Sequence, residues 1–211
     1  MKKNIIVSIA VLAVVGVVGG ATSVYAALTD STLFSQQING GTISTFIGDA
    51  TGAEVASPNV VFPAKSISNA VQTSAGTYGT NTERIYVDNP GGANIGWNLS
   101  LAATSGASAT WTSGGNTYPF NAASSALGQL TIDPSPGVLT ASVGTTTGIS
   151  KGTSGTFSGG TNTPINLLAA ASGSDDIVRV YLTGVSASQT IPASQPAGSY
   201  TIDFTQTVVA L

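Results

Sequence analysis

Three stretches of this chain hold residues that could do chemistry. Asp175 and Asp176 stand side by side, Gly152-Thr153-Ser154-Gly155-Thr156 places a serine between glycines, and Gly91-Gly92-Ala93-Asn94-Ile95-Gly96 offers a glycine-rich turn after an apolar run. Each lacks the companions its chemistry needs. There is no histidine anywhere, so the usual proton acceptor of a serine triad is missing. Thr156 also stands where a nucleophile elbow needs its second glycine. Neither Lys65 nor Lys151 has a serine three residues before it, which removes the Ser-x-x-Lys arrangement. The glycine turn contains no lysine and leads into a strand pattern where a phosphate loop would open a helix. Adjacent carboxylates on a strand face opposite ways, so Asp175-Asp176 reads first as a solvated turn before Ile177. Calcium ligation is the alternative, but no Asp-rich loop supplies the further oxygen ligands. With no cysteine and no histidine, zinc sites of the usual kind are excluded. The expectation is no catalytic residue, no cofactor and no metal.

Composition narrows the class. Met1-Lys2-Lys3-Asn4 is a short basic start, Ile5 to Val18 is apolar, and small residues follow to Ala26, the three parts of a secretory signal. Cleavage is expected after Ala26, with an uncleaved anchor as the alternative, since about 20 apolar residues suffice to span a bilayer. Without Lys2 and Lys3, four basic residues face nine acidic ones, a net charge of −5. No basic stripe is left to neutralise phosphates, so nucleic acid is not an expected partner. The membrane is expected to matter only through the signal segment. A secreted chain without cysteine must be held by its core and its sheets.

The rest of the chain reads as short strands separated by polar turns. Tyr200, Ile202, Phe204, Gln206 and Val208 share one face of the last strand, and Thr201, Asp203, Thr205 and Thr207 share the other. Because side chains alternate across a strand, the first set is expected to point inward. Val178, Val180 and Leu182 repeat the device, as do Ile95, Trp97, Leu99 and Leu101. Ile85 with Val87, Leu130 with Ile132, and Val138 with Leu139 mark further strands. Ala122 to Leu127 and Pro164 to Ala171 could each hold a turn or two of helix. Thr145 to Asn162 and the shorter Thr104 to Tyr118 read as surface loops, with an adaptable contact role as the alternative. Asn98-Leu99-Ser100 matches a glycosylation sequon, but inside a strand the match is read as accidental. Spaced strands without a helical stripe predict an all-β chain, an antiparallel β-sandwich of the immunoglobulin-like or Greek-key type behind an N-terminal signal helix. The expected division is 1–26 signal, 27–57 N-terminal strand segment and 58–211 sandwich.

Asn59-Val60-Val61-Phe62, Ile85-Tyr86-Val87-Asp88-Asn89, Gly96-Trp97-Asn98-Leu99, Gln189-Thr190-Ile191-Pro192-Ala193 and Ala197-Gly198-Ser199-Tyr200 follow one another in an order that resembles the WxL domain of Gram-positive surface proteins. The resemblance implies non-covalent attachment to the cell wall, through peptidoglycan, or membership of a surface assembly. It puts Trp97 and Leu99 in the first Trp-x-Leu motif. The second motif would fall on Gln206 and Val208, where glutamine replaces the expected tryptophan. By the phase of its strand, Trp97 itself reads first as a core ring, with a half-exposed ring stacking on sugar as the alternative. A weaker similarity, over Gly19 to Ser44, is to camelysin/TasA-type biofilm fibre subunits.

The function expected is therefore a secreted, non-catalytic protein at the cell wall that binds wall glycan or other surface proteins. The alternative is a fibre subunit forming a homo-polymer by exchange of the strand segment Leu28 to Phe46.

Overall fold

A computed structural model of the 211-residue chain describes residues 32–92, 95–174 and 177–211. The signal segment with its expected helix, and the Asp175-Asp176 pair, lie outside the described residues. Contacts divide the chain into Met1–Gln37 and Ile38–Leu211. In the first unit, residues 32–37 are exposed and have no regular structure.

The second unit is all-β and antiparallel. Its strands begin with β1 (Ser44–Gly48), β2 (Gln72–Tyr78), β3 (Arg84–Asn89), β4 (Trp97–Ala103), β5 (Thr110–Ser113) and β6 (Asn116–Pro119). They continue with β7 (Leu130–Asp133), β8 (Val138–Val143), β9 (Ile149–Lys151) and β10 (Gly155–Thr156). The last four are β11 (Ile165–Ala170), β12 (Val178–Thr183), β13 (Val185–Ile191) and β14 (Phe204–Ala210). Three four-stranded sheets result, ordered β1-β3-β12-β8, β10-β7-β13-β2 and β14-β4-β11-β9, with β5 and β6 as a separate hairpin. β1, expected in a segment of its own, pairs with β3 from Ser44 opposite Asp88 to Gly48 opposite Arg84.

Alternation of side chains builds the core as the sequence predicts. Trp97, Leu99, Leu101 and Ala103 of β4 are buried, as are Ile85 and Val87 of β3 and Val178, Val180 and Leu182 of β12. All three sheets feed one hydrophobic cluster, which also holds Leu130, Ile132 and Ala187. On the other face of the first sheet, Phe46, Tyr86 and Tyr181 stand opposite one another across β1, β3 and β12. Phe46 stacks on Tyr86 at 5.0 Å, the cross-strand aromatic contact that favours this register. Beside them Arg179 pairs with Asp88.

Three expectations are corrected. Pro164 to Ala171 forms strand β11 and no helical turn, because a bulge between Asn166 and Leu168 turns both Leu167 and Leu168 into the core and hides the two-residue period. Thr145 to Asn162 is no plain loop: β9 and β10 pair with β11 and β7, and Phe157 is buried in a ring cluster with Phe120 and Phe204. Strands this short owe their conformation to their partners more than to their own residues. Ile95 does not join the face of Trp97 but is 48% exposed. Gly96 between them has φ +82, outside the extended region, and so breaks the alternation. Ala122 to Leu127 holds a single 3₁₀ turn, Ser125–Leu127, capped by the Ser124 side chain.

Candidate functional site

The two motif positions, far apart in the chain, meet across one strand pair. β14 runs antiparallel to β4 with Ala210 opposite Trp97, Val208 opposite Leu99 and Gln206 opposite Leu101. Leu211 N–H extends the contact to Gly96 C=O. Trp97 is 1% exposed and Leu99 is fully covered, so neither offers a surface to a ligand in this conformation. The Trp97 Nε1–H is buried with no hydrogen-bond partner among the described residues, a cost of about 1–3 kcal/mol tolerated for the sake of the ring's packing. Gly96 is needed beside it, since a Cβ there would come within 2.6 Å of the Ala170 carbonyl.

Gln206 stands at a polar junction. Tyr78 donates its hydroxyl to Gln206 Oε1 at 2.5 Å. Gln206 Nε2 donates to Thr45 Oγ1 at 2.7 Å, and Thr45 Oγ1 donates to the Tyr86 carbonyl at 2.7 Å. The chain of bonds crosses from β2 to β14 to β1 and β3, one link into each sheet. Burial pushes the Tyr78 hydroxyl far above its ordinary pKa, so it stays a neutral donor. Half-buried Val208 packs against the core two residues on.

An aromatic cluster lies instead on the β5–β6 hairpin, with Trp111 half-buried and Tyr118 buried, within the stretch expected to be a loop. Gly114 and Gly115 turn the hairpin with φ +52 and +89, the two positive values that a tight two-residue turn requires. This sets Trp111 opposite Tyr118, stacked with centroids 6.1 Å apart. Tyr200 meets Tyr118 edge-on at 5.2 Å, and Phe62 meets Trp111 edge-on at 5.6 Å. Buried Gln189 accepts from Trp111 Nε1 at 2.8 Å and so fixes the indole. Gln195 Nε2 donates to the Tyr200 hydroxyl at 2.8 Å, which in turn donates to the Pro196 carbonyl. Together these residues line a cleft of about 480 Å³. Burial, and then Tyr200, pushes the Tyr118 hydroxyl up to about 12.

No protein-family profile, no curated protein and no solved structure matches this chain.

The geometry of the cleft suits holding a ligand. The half-buried rings of Trp111 and Tyr200 border the cleft, where the apolar side of a sugar or a flat side chain could pack, and the amides of Gln189 and Gln195 that hold those rings lie beside them. No carboxylate and no histidine lines the cleft, whose titratable side chains are Lys65, Tyr118 and Tyr200. Among the described residues no three acidic, histidine or cysteine side chains come together to hold a metal. Of the motif residues, the structure unites Trp97, Leu99, Gln206 and Val208 on one strand pair but away from the lining of this cleft. Trp111 is not among the residues singled out from the sequence, though the hairpin that carries it has a local signal: Gly114-Gly115 flanked by Trp111-Thr112-Ser113 and Asn116-Thr117-Tyr118 is a hairpin pattern.

Proposed function

We propose that this is a secreted, non-catalytic cell-surface protein that associates non-covalently with the cell wall, its aromatic cleft holding wall glycan or a neighbouring surface protein. The observation that carries the reading is the assembly of Trp111, Tyr118 and Tyr200 from two separate segments into one cleft. Its packing is that of an antiparallel sandwich of the immunoglobulin-like kind, a reading supported by strands from different sheets sharing one core and by sheet neighbours that are distant in sequence. The Trp-x-Leu motif enters as architecture, joining β4 to β14, and the cleft is where contact is made. Co-sedimentation with purified peptidoglycan tests this. The protein should pellet with it, and Trp111→Ala should abolish pelleting while the far-ultraviolet circular dichroism stays unchanged. An absence of pelleting by the unaltered protein would overturn the reading.

A fibre subunit is the second reading, favoured by one specific observation. Leu33, Phe34 and Ile38 are 91%, 90% and 87% exposed, apolar side chains that a neighbouring copy could cover. A groove of about 510 Å³ floored by Leu101, Leu130, Ile132 and Phe204 has the apolar character to receive them. The exchanged piece would be shorter than Leu28 to Phe46, because Ser44 onward is engaged as β1 in its own chain. Filaments seen by electron microscopy that vanish on deleting residues 32–38 would support this reading, and a monomer at high concentration would oppose it.

A further inference from the structure

Four basic residues lie among the described residues, and three are committed internally. Arg179 pairs with Asp88. Arg84 donates to the carbonyls of Asn81 and Ala50 and lies 4.4 Å above the Tyr181 ring. Lys151 donates to the carbonyls of Ser135 and Gly137. Lys65 is the exception. It has no hydrogen-bond or ion-pair partner among the described residues, and it lines the aromatic cleft, where it is the one charged side chain.

We propose that the cleft selects an anionic glycan, one bearing a free carboxylate beside its sugar rings, and that Lys65 is the residue that selects it. The inference rests on the reading of the cleft as a glycan site. Lys65 stands on segment 58–68, which has no regular structure and is held at its ends by Asn59 N–H donating to Glu83 Oε1 and by the Ser68 carbonyl accepting from Ser194 N–H, and in its middle by two further contacts. Phe62 packs edge-on against Trp111, and the Pro63 carbonyl accepts from buried Ser74 Oγ at 2.8 Å. Lys65 therefore stands three residues from Phe62, whose ring touches Trp111, and both Lys65 and Trp111 line the cleft. Its surroundings sharpen the selection. Acidic residues outnumber basic ones in the whole chain, so the general field repels anions, while none of the acidic residues lines this cleft. A single exposed cation acts only within about 8 Å at physiological salt, so the favoured carboxylate must sit next to the stacked sugar. A compact, freely rotating ammonium suits a carboxylate of variable position, as on the stem peptide of wall fragments or on the lactyl group where no peptide is attached, whereas a fixed guanidinium fork would demand one geometry.

The test compares teichoic-acid-free soluble peptidoglycan fragments with the same fragments after amidation of their carboxylates, by calorimetry at low and high salt. Native fragments should bind about fivefold more tightly than amidated ones at low salt, the size expected of one exposed charge pair. The preference should disappear at 1 M salt and in Lys65→Gln, which should bind both forms as the unaltered protein binds the amidated one. Equal binding of both fragments by the unaltered protein would overturn the selection and leave the glycan reading standing. Binding of neither would overturn both. Binding of a phosphate-bearing teichoic acid polymer but not of the carboxylate fragments would overturn the assignment of the carboxylate.

Discussion

Trp97 lies inside β4 with its ring enclosed and its nitrogen unpaired among the described residues, whereas Trp111 lies on a hairpin with its ring half-buried and its nitrogen bonded to Gln189. The same side chain serves opposite ends. In the sheet, neighbours surround the ring on all sides, so its fit decides the energy, and one lost hydrogen bond is outweighed by the packing of a large ring. In the cleft, water reaches one side, so the ring's position depends on a polar anchor and on aromatic neighbours. An indole held this way stays partly open to solvent, and an enclosed indole does not.

The largest way to break this comparison is to delete each ring. Trp97→Ala should cost about 3–5 kcal/mol of stability, read from the denaturant midpoint. Trp111→Ala should cost clearly less while removing peptidoglycan binding. Equal stability losses would mean that the two rings are both structural, and the contrast would fail. Trp97→Phe sharpens it further: losing the unpaired nitrogen offsets part of the lost volume, so this variant should retain most of the stability that Trp97→Ala loses.

The polar junction is the next test. Gln206→Leu leaves the Tyr78 hydroxyl without its acceptor, while Thr45 loses one donor but keeps its bond to the Tyr86 carbonyl, and thermal unfolding should show a loss of about 1–3 kcal/mol. Adding Tyr78→Phe to that variant should recover part of the loss, because the stranded hydroxyl goes with it. No recovery would show that the bond to Tyr78 is not the one that matters.

A smaller effect separates the cleft from the core by pH. Tyr118 has its pKa raised from 10.0 to about 12, so the folded state holds its proton more tightly than the unfolded chain does. Stability from this group is complete below about pH 10 and falls as the pH rises toward 12. Tyr118→Phe keeps the ring and should flatten that part of the alkaline unfolding curve. An unchanged curve would place the alkaline weakness elsewhere, with Tyr78 as the next residue to replace.

Much of the fold was legible in the residues. Val178, Val180 and Leu182, and likewise Trp97, Leu99 and Leu101, follow a two-residue period that has one meaning in a strand, and both sets are buried. The inward phase of Ile202, Phe204, Gln206 and Val208 is found as well, with each half-buried and the intervening residues exposed. Where a bulge interrupts the period, as at Leu167-Leu168, or where a strand has two or three residues, as at β9 and β10, the local signal vanishes. The cleft was less legible. Its Gly-Gly turn was visible, but nothing local announces that Phe62 and Tyr200 converge on that hairpin.

By itself the order of residues determined the all-β character, the alternating core strands and the want of a histidine or cysteine for chemistry, because these depend on side-chain type and on near neighbours. Which tryptophan is enclosed, that Gln206 joins three sheets, and that Lys65 alone among the described cations lacks an internal partner were decided only by the tertiary structure. Those properties belong to contacts between segments far apart in the chain, and no local pattern encodes the distance at which two such segments meet.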